Sequence, residues 1–153
     1  MTIGLDYVCF LYKHKVNWIL VSVREEMVKK SSIIIIEDDV DMASIFDEWA
    51  KSAEISVLGI GHDGKEAVEL FEKHRPQIVI LDLMMPYFDG FYAINKIRKI
   101  DPDSKFLVLT ADITEETRKR IEQMKSISLM YKPYDLDDVI NEIKKLVSEP
   151  VAV

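Results

Sequence analysis

Residues 31–39 read Ser-Ser-Ile-Ile-Ile-Ile-Glu-Asp-Asp, and this stretch decides the fold. The four consecutive isoleucines form a β-branched run that is too short for a helix and apolar on both faces. Such a run is typical of a strand that is buried on both sides in a parallel sheet. The acids that follow it mark the end of the strand, and either Asp39 or Asp41 can cap a helix that starts there. The stretch therefore predicts a β-strand that leads directly into an α-helix.

The same unit recurs four more times along the chain. Further apolar runs predict strands at residues 55–60, 77–81, 106–109 and 127–131. Apolar residues at helical spacing predict a helix after each strand, including a charged helix from Thr114 to about Met124 and a final one that ends near Val147. Five strands that alternate with five helices predict a doubly wound α/β fold, in which helices cover both faces of a five-stranded parallel sheet.

Polar side chains stand at four of the predicted strand ends, where ligands bind in such sheets. These ends carry Glu37-Asp38-Asp39, Asp82, Thr110 and Tyr131-Lys132-Pro133. A single acid after a strand is often only a helix cap, but carboxylates brought together repel each other unless a cation offsets them. Oxygen ligands without a nearby histidine or cysteine favour Mg²⁺ over zinc, and Mg²⁺ commonly binds phosphate as well. The combination therefore predicts a site for phosphoryl chemistry.

Composition limits the other possibilities. The 153 residues include 48% hydrophobic residues and carry a formal net charge of −7, which fits one globular domain. A single cysteine, Cys9, excludes an internal disulfide framework and is consistent with a reducing compartment. The acidic balance argues against a general nucleic-acid binder. No apolar run of 18 residues is present, so we expect no membrane span.

Residues 1–30 differ from the rest of the chain. They contain five basic and three acidic residues, so their formal charge is +2 and the remainder carries −9. We interpret them as an N-terminal extension of unknown role, followed by a domain at residues 31–148 and a tail at 149–153. Two explanations stay open: Met27 is the natural start and the extension is an upstream translated segment, or the extension packs on the domain or on a partner. The intact mass of the native protein distinguishes them.

Four motifs, in this order, resemble the receiver domain of two-component response regulators. They are Ile-Ile-Glu-Asp-Asp at 35–39, Leu-Asp-Leu-Met-Met-Pro-Tyr-Phe-Asp-Gly at 81–90, Leu-Thr-Ala at 109–111 and Lys-Pro at 132–133. The resemblance runs from about Ser31 to Val147 and is greatest to the single-domain, CheY-like type. It implies a (βα)5 flavodoxin-like fold with strand order 2-1-3-4-5.

The resemblance also implies roles for the residues at the strand ends. By this resemblance, Asp82 corresponds to the phosphoacceptor of the family. That residue takes a phosphoryl group from a phosphohistidine of a sensor histidine kinase or a phosphotransfer protein. The implied Mg²⁺ ligands are Glu37, Asp38, Asp82 and the backbone carbonyl of Met84. Such a protein is not a classical enzyme, although it catalyses its own aspartyl phosphorylation and dephosphorylation. We expect it in the cytoplasm.

Further positions match the family pattern. Thr110 corresponds to the switch hydroxyl that contacts the phosphoryl group, and Ala111 to the small residue beside it. Lys132 is expected to pair with Asp82 before modification and with a phosphoryl oxygen afterwards, with a cis bond to Pro133. We interpret Asp39 as the helix cap. Asp112 is expected at the mouth of the pocket, and Gly90 is interpreted as relieving crowding at the start of the third helix.

One position departs from the family. An aromatic residue often lies three positions before the lysine, where this chain has Leu129, while Tyr131 directly precedes Lys132. We therefore expect a switch centred on Thr110 with an altered aromatic partner. The two other polar residues that invite a catalytic role receive a structural interpretation: we predict that His62 lies in an exposed loop and His74 at the polar end of a helix.

Because about six residues follow the last predicted helix, we expect no output domain and no direct nucleic-acid contact. We expect signalling through the face formed by the fourth helix, the fifth strand and the fifth helix, which contacts a protein target; a homodimer through this face stays open. A phosphatase of the haloacid-dehalogenase type carries a second aspartate two residues after its nucleophile. This chain has Met84 at that position, which argues against such an enzyme. A non-phosphorylated interaction module does not require this combination of site residues, so their joint presence argues against that alternative. The five residues are Glu37, Asp38, Asp82, Thr110 and Lys132.

Overall fold

The computed structural model describes residues 30–148, so the interpretations of the N-terminal extension and the tail lie outside the described residues apart from Lys30. Within this range, strands and helices alternate five times as predicted. The elements are β1 (Ser32–Ile36), α1 (Val40–Ser52), β2 (Ser56–Gly61), α2 (Gly64–His74), β3 (Ile78–Leu81), α3 (Gly90–Ile100), β4 (Phe106–Thr110), α4 (Glu115–Glu122), β5 (Ile127–Tyr131) and α5 (Leu136–Ser148).

The five strands form one parallel sheet in the order β2-β1-β3-β4-β5. This confirms the doubly wound fold and the predicted strand order. The order reverses between β1 and β3, which is where doubly wound sheets open a crevice at their carboxyl edge. These two strands are paired with Ile36 opposite Leu81. The residues that follow, Glu37 and Asp82, therefore leave the sheet side by side.

The isoleucine run of β1 is continuous because helices cover both faces of the sheet. Ile34 and Ile36 belong to one buried cluster, together with residues of α2 and α3. Ile33 and Ile35 belong to a second cluster on the opposite face, with residues of α1 and α5. Burying each of these side chains contributes roughly 1.5–3 kcal/mol, so the strand that carries the first acids is also strongly anchored.

Helix caps account for some of the acids at the carboxyl edge. The side chain of Asp39 accepts hydrogen bonds from the backbone N–H groups of Asp41 and Met42, at 3.0 and 3.1 Å. This confirms Asp39 as the cap of α1. Asp63 and Asp89 cap α2 and α3 in the same way. The acids that are not used as caps, Glu37, Asp38 and Asp82, are hereafter called the acidic cluster.

The helices differ from prediction mainly in α4, which is shorter. Thr114 is its N-cap and accepts a hydrogen bond from the backbone N–H of Thr117, and Gln123 follows its last turn. Predicted helix ends commonly differ by a residue or two because caps lie just outside the helix. None of the helices in residues 30–148 is long and apolar enough to cross a membrane.

Candidate functional site

The acidic cluster lies at the carboxyl ends of β1 and β3, where the sequence predicted that these acids would meet. Each residue offers a carboxylate oxygen, and these three oxygens lie within 4.8 Å of one another. Glu37 and Asp82 are buried, at 6% and 7% exposure, whereas Asp38 is exposed. The N–H of Asp82 donates a 3.0 Å hydrogen bond to the carbonyl oxygen of Ile36, which extends the pairing of the two strands into the site.

Lys132 enters the same site from the end of β5. Its Nζ donates to Asp82 Oδ2 at 2.7 Å and to Glu37 Oε2 at 2.9 Å. Its backbone N–H donates to the carbonyl oxygen of Thr110 at 2.9 Å, which ties the segment after β5 to the end of β4. The Lys132–Pro133 bond is cis, as the resemblance implies. The predicted pairing of Lys132 with Asp82 is therefore confirmed.

Burial and ion pairing act against each other in this group. Burial raises the pKa of Glu37 above its usual value, and the contacts with Lys132 offset only part of that effect. Burial by itself would lower the pKa of Lys132, but its hydrogen bonds to Asp82 and Glu37 outweigh this and raise it. Lys132 is therefore protonated at neutral pH. One ammonium faces three carboxylates, so the site retains an excess of negative charge.

The donor set of the acidic cluster fits Mg²⁺. All its donors are carboxylate oxygens, the hard ligands that Mg²⁺ prefers, and the exposure of Asp38 leaves access for the water ligands that Mg²⁺ keeps. The chain after β3 turns back on the cluster, because the N–H of Met84 donates to Asp82 Oδ1 at 3.0 Å. The residues that could hold the ion are thus Glu37, Asp38 and Asp82, with the carbonyl of Met84 in the adjoining turn.

The β4–α4 loop gives Asp112 contacts that the sequence did not predict. Thr110 is fully buried, and its hydroxyl oxygen accepts a 3.2 Å hydrogen bond from the N–H of Asp112. The carboxylate of Asp112, which we predicted at the mouth of the pocket, accepts hydrogen bonds from the Thr114 N–H at 2.9 Å and the Thr117 hydroxyl at 2.6 Å. The bond from Thr117, and then that from Thr114, lower the pKa of Asp112. Asp112 therefore organises the start of α4.

The residues of β5 account for the departure at Leu129. Leu129 is half-buried and packs against the same core cluster as Ile34 and Ile36, so it serves as a core residue. Tyr131 is half-buried and lies directly opposite Thr110 in the pairing of β4 with β5. The aromatic residue of this strand is thus paired with Thr110 in the sheet and lies two positions later than in the family pattern.

A cavity of about 430 Å³ adjoins Lys132 and is lined also by Met42, Pro133 and Tyr134. The ring of Tyr134 packs against Phe46, with centroids 5.9 Å apart. Its hydroxyl is buried and has no hydrogen-bond partner among residues 30–148. Burial raises the pKa of Tyr134 to about 12. No described residue replaces the hydrogen bonds that this hydroxyl makes with water in the unfolded chain, so its burial opposes folding.

We therefore expect Tyr134→Phe to raise the free energy of unfolding by about 1 kcal/mol, because it removes a buried unsatisfied group and keeps the ring. Urea unfolding followed by circular dichroism measures the change. Tyr87→Phe is the matched control, since the Tyr87 side chain is 97% exposed and its hydroxyl is solvated. A Tyr134→Phe protein that is less stable than wild type would show that the hydroxyl has a partner in solution.

The two histidines are placed as predicted, but one makes an unexpected contact. His74 is the last residue of α2. His62 is exposed, yet its Nδ1 lies 2.9 Å from the carbonyl oxygen of Glu37, which is 25 positions away in the chain. Sequence reasoning missed this contact, because no local pattern relates the two residues. The contact depends on the pairing of β1 with β2.

Comparison with known proteins agrees with this geometry. The sequence profile described as "Response regulator receiver domain" matches residues 33–144. A similar solved structure is the receiver domain of Francisella response regulator 1452, at 24% identity over 77% of this chain and 97% of that chain, with a TM-score of 0.70. Another is CheY of Borrelia burgdorferi in a complex with CheX, BeF3 and Mg²⁺, at 24% identity over 77% of this chain and 90% of that chain, with a TM-score of 0.69. The response regulator domain of Thermotoga maritima CheB matches at 18% identity over 80% of this chain and 99% of that chain, with a TM-score of 0.69. At these identities the structures show a shared fold, whereas the profile covers most of the chain and carries the assignment. The chain belongs to the response regulator receiver domain family of two-component signalling.

Proposed function

We propose that this receiver accepts a phosphoryl group on Asp82 from the phosphohistidine of a sensor histidine kinase or a phosphotransfer protein, in a reaction that depends on Mg²⁺. One observation carries the proposal. The Asp82 carboxylate is buried, it is held by the Lys132 ammonium at 2.7 Å, and it lies within 4.8 Å of two further carboxylates. A site of this kind fits a cation and a phosphoryl group together.

The residues of the chain have separate tasks in this reaction. A carboxylate oxygen of Asp82 forms the new bond to phosphorus, while the bond between phosphorus and the donor's histidine nitrogen breaks and that nitrogen keeps the electron pair. The Met84 N–H, which is bonded to Asp82 Oδ1 at 3.0 Å, helps to orient the carboxylate. Glu37, Asp38 and Asp82, with the Met84 carbonyl, would hold Mg²⁺, and the bound ion would neutralise charge on the transferring group.

Lys132 and Thr110 respond to the product. Lys132 exchanges its contact with Asp82 for one with a phosphoryl oxygen, since the phosphoryl group carries about two negative charges where the free carboxylate carried one, and it adds new acceptor oxygens. The Thr110 hydroxyl donates to another phosphoryl oxygen. It accepts from the Asp112 N–H at 3.2 Å in the unmodified protein, so a new contact at Thr110 is transmitted to the β4–α4 loop. The chain itself then catalyses both the phosphorylation of Asp82 and the later loss of the phosphoryl group. This agrees with a family whose members are not classical enzymes.

Output is assigned to the face formed by α4, β5 and α5 of the domain at residues 31–148. Thr110 ends the strand next to β5, and the loop that it contacts begins α4, so this face lies nearest to the switch. The partner is a downstream protein in the cytoplasm rather than nucleic acid, and a second copy of the chain is the other candidate. In the Borrelia burgdorferi complex, CheY is bound to CheX in the presence of BeF3 and Mg²⁺, which supports a protein partner by analogy.

Incubation with acetyl phosphate and Mg²⁺ tests the proposal. Intact mass spectrometry is expected to show the gain of one phosphoryl group in the wild type and none in Asp82→Asn, because the amide lacks the nucleophilic carboxylate. Asp89→Asn is the matched control: it alters another aspartate of the same loop, whose role is to cap α3, and it is expected to be phosphorylated. A wild-type protein that gains no mass, with Mg²⁺ present, would favour the alternative of a non-phosphorylated interaction module.

A further inference from the structure

The loop between β2 and α2 (residues 62–63) and Gly64, the first residue of α2, contact both segments that carry the acidic cluster. On one side, the Nδ1 of His62 lies 2.9 Å from the backbone carbonyl oxygen of Glu37. On the other side, the N–H of Gly64 donates a 2.7 Å hydrogen bond to the carbonyl oxygen of Phe88, in the loop that follows β3. This short loop therefore connects the segment after β1 to the segment after β3.

The contact with Glu37 defines where the proton lies on the His62 ring. A carbonyl oxygen only accepts hydrogen bonds, so Nδ1 must carry a hydrogen and donate it. The residue itself is held in place, because its backbone N–H donates to Glu66 Oε2 at 2.8 Å. The next residue, Asp63, accepts two 2.8 Å hydrogen bonds from the first turn of α2. The imidazole thus extends from a fixed point of the loop.

We propose that His62 is a positioning residue for the acidic cluster. Its Nδ1–H holds the carbonyl of Glu37 and so sets the orientation of the peptide unit that joins Glu37 to Asp38. This inference rests on the proposed function, since it concerns the residues that would hold Mg²⁺ there. The N–H of Glu37 donates to the carbonyl of Gly61 at 3.0 Å, so His62 adds a second hydrogen bond from the same stretch of chain.

The need for such a contact follows from the exposure of Asp38. Its neighbour Glu37 is buried and held by Lys132, but Asp38 is exposed and follows the last residue that is anchored to β2. A metal ligand at the surface loses conformational freedom when it binds the ion, and a fixed backbone reduces that cost. Groups that orient ligands in this way commonly change metal affinity by 10- to 100-fold.

The test compares His62→Leu with His62→Asn. The Asn side chain carries an N–H at the same position along the side chain as Nδ1, so it can donate to Glu37, whereas leucine cannot. Isothermal titration with Mg²⁺ alone is expected to show about tenfold weaker binding for His62→Leu and an affinity close to wild type for His62→Asn. In the metal-free protein, the Glu37 amide, which donates to the Gly61 carbonyl, reports on how firmly this segment is held. Its hydrogen is expected to exchange faster than in the wild type in His62→Leu but not in His62→Asn.

Lys65→Ala is the control, because Lys65 is exposed in the same region and its ammonium pairs only with the exposed Glu69 among the described residues, at 3.9 Å. Equal Mg²⁺ affinity in His62→Leu and wild type would overturn the inference, and so would an equal loss in both His62 variants, which would indicate ring packing. In either case a wild type that binds Mg²⁺ and gains a phosphoryl group leaves the proposed function standing. A wild type that does neither contradicts the proposed function and this inference together.

Discussion

Lys132→Met is expected to lower the free energy of unfolding by about 3 kcal/mol at pH 7, because it removes the only described cation that contacts two buried carboxylates. Methionine keeps most of the length and volume of the side chain, so the loss is chiefly electrostatic. The Glu37 and Asp82 side chains are only 8% and 7% exposed, and water can replace the ammonium only in part. Urea unfolding at low ionic strength without divalent ions measures the change.

The effect of Lys132→Met is expected to depend on pH in a definite direction. Burial already raises the pKa of Glu37 in the wild type, and loss of the lysine raises it further. A carboxyl whose pKa is higher in the folded than in the unfolded protein binds more protons when folded, so the variant gains stability as the pH falls from neutral towards the unfolded pKa of Glu. The difference in unfolding free energy between variant and wild type is therefore expected to narrow over that range.

Mg²⁺ provides the second test of the same prediction. The ion replaces part of the missing positive charge, so it is expected to stabilise Lys132→Met more than the wild type. Lys65→Met is the matched control, with an exposed ion pair that contributes less than about 1 kcal/mol. If Lys132→Met and Lys65→Met unfold at the same urea concentration, the two buried carboxylates do not need the ammonium.

The acidic cluster could be predicted from sequence because it depends on few tertiary details. Each acid directly follows a strand that its own apolar run identifies. In a parallel sheet all such ends lie on one edge, so Glu37, Asp82 and Lys132 are brought together by topology alone. The cap role of Asp39 was equally local, because a capping side chain bonds to the next residues of its own chain. Most of the site residues could therefore be predicted from short-range sequence patterns.

The features that sequence reasoning missed depend on how elements meet in space. The contact between His62 and Glu37 requires the pairing of β1 with β2, and its residues look unrelated along the chain. The bond from the Thr117 hydroxyl, in the first turn of α4, to the carboxylate of Asp112 was also not predicted. The Tyr134 hydroxyl has no partner among the described residues because of the way in which the chain after β5 packs on α1. No residue type or spacing signals such contacts.

Gly90→Ala is expected to lower the free energy of unfolding by about 3 kcal/mol, at the upper end of the usual cost of overpacking. Gly90 begins α3, and a Cβ there would lie 2.5 Å from the carbonyl oxygen of Asp82 and 2.8 Å from the Cα of Leu83. Both are backbone atoms of the chain that carries the acidic cluster. They can yield only if Asp82 itself moves, which gives the interpretation of Gly90 as relieving crowding a physical basis. Thermal unfolding and chemical denaturation measure the loss.

A shift of Asp82 is expected to affect the reaction as well as the stability. Displacing a reacting group by about 1 Å can cost on the order of 100-fold in rate, so phosphorylation of Gly90→Ala by acetyl phosphate is expected to slow strongly even at temperatures where the variant is folded. Gly59→Ala is the control. There the added Cβ would lie 2.7 Å from Cδ2 of Leu70, which is the end of a flexible side chain and can rotate away without moving the backbone. Gly59→Ala is therefore expected to react at the wild-type rate, and an equally fast Gly90→Ala protein would mean that the start of α3 does not position the carboxylate.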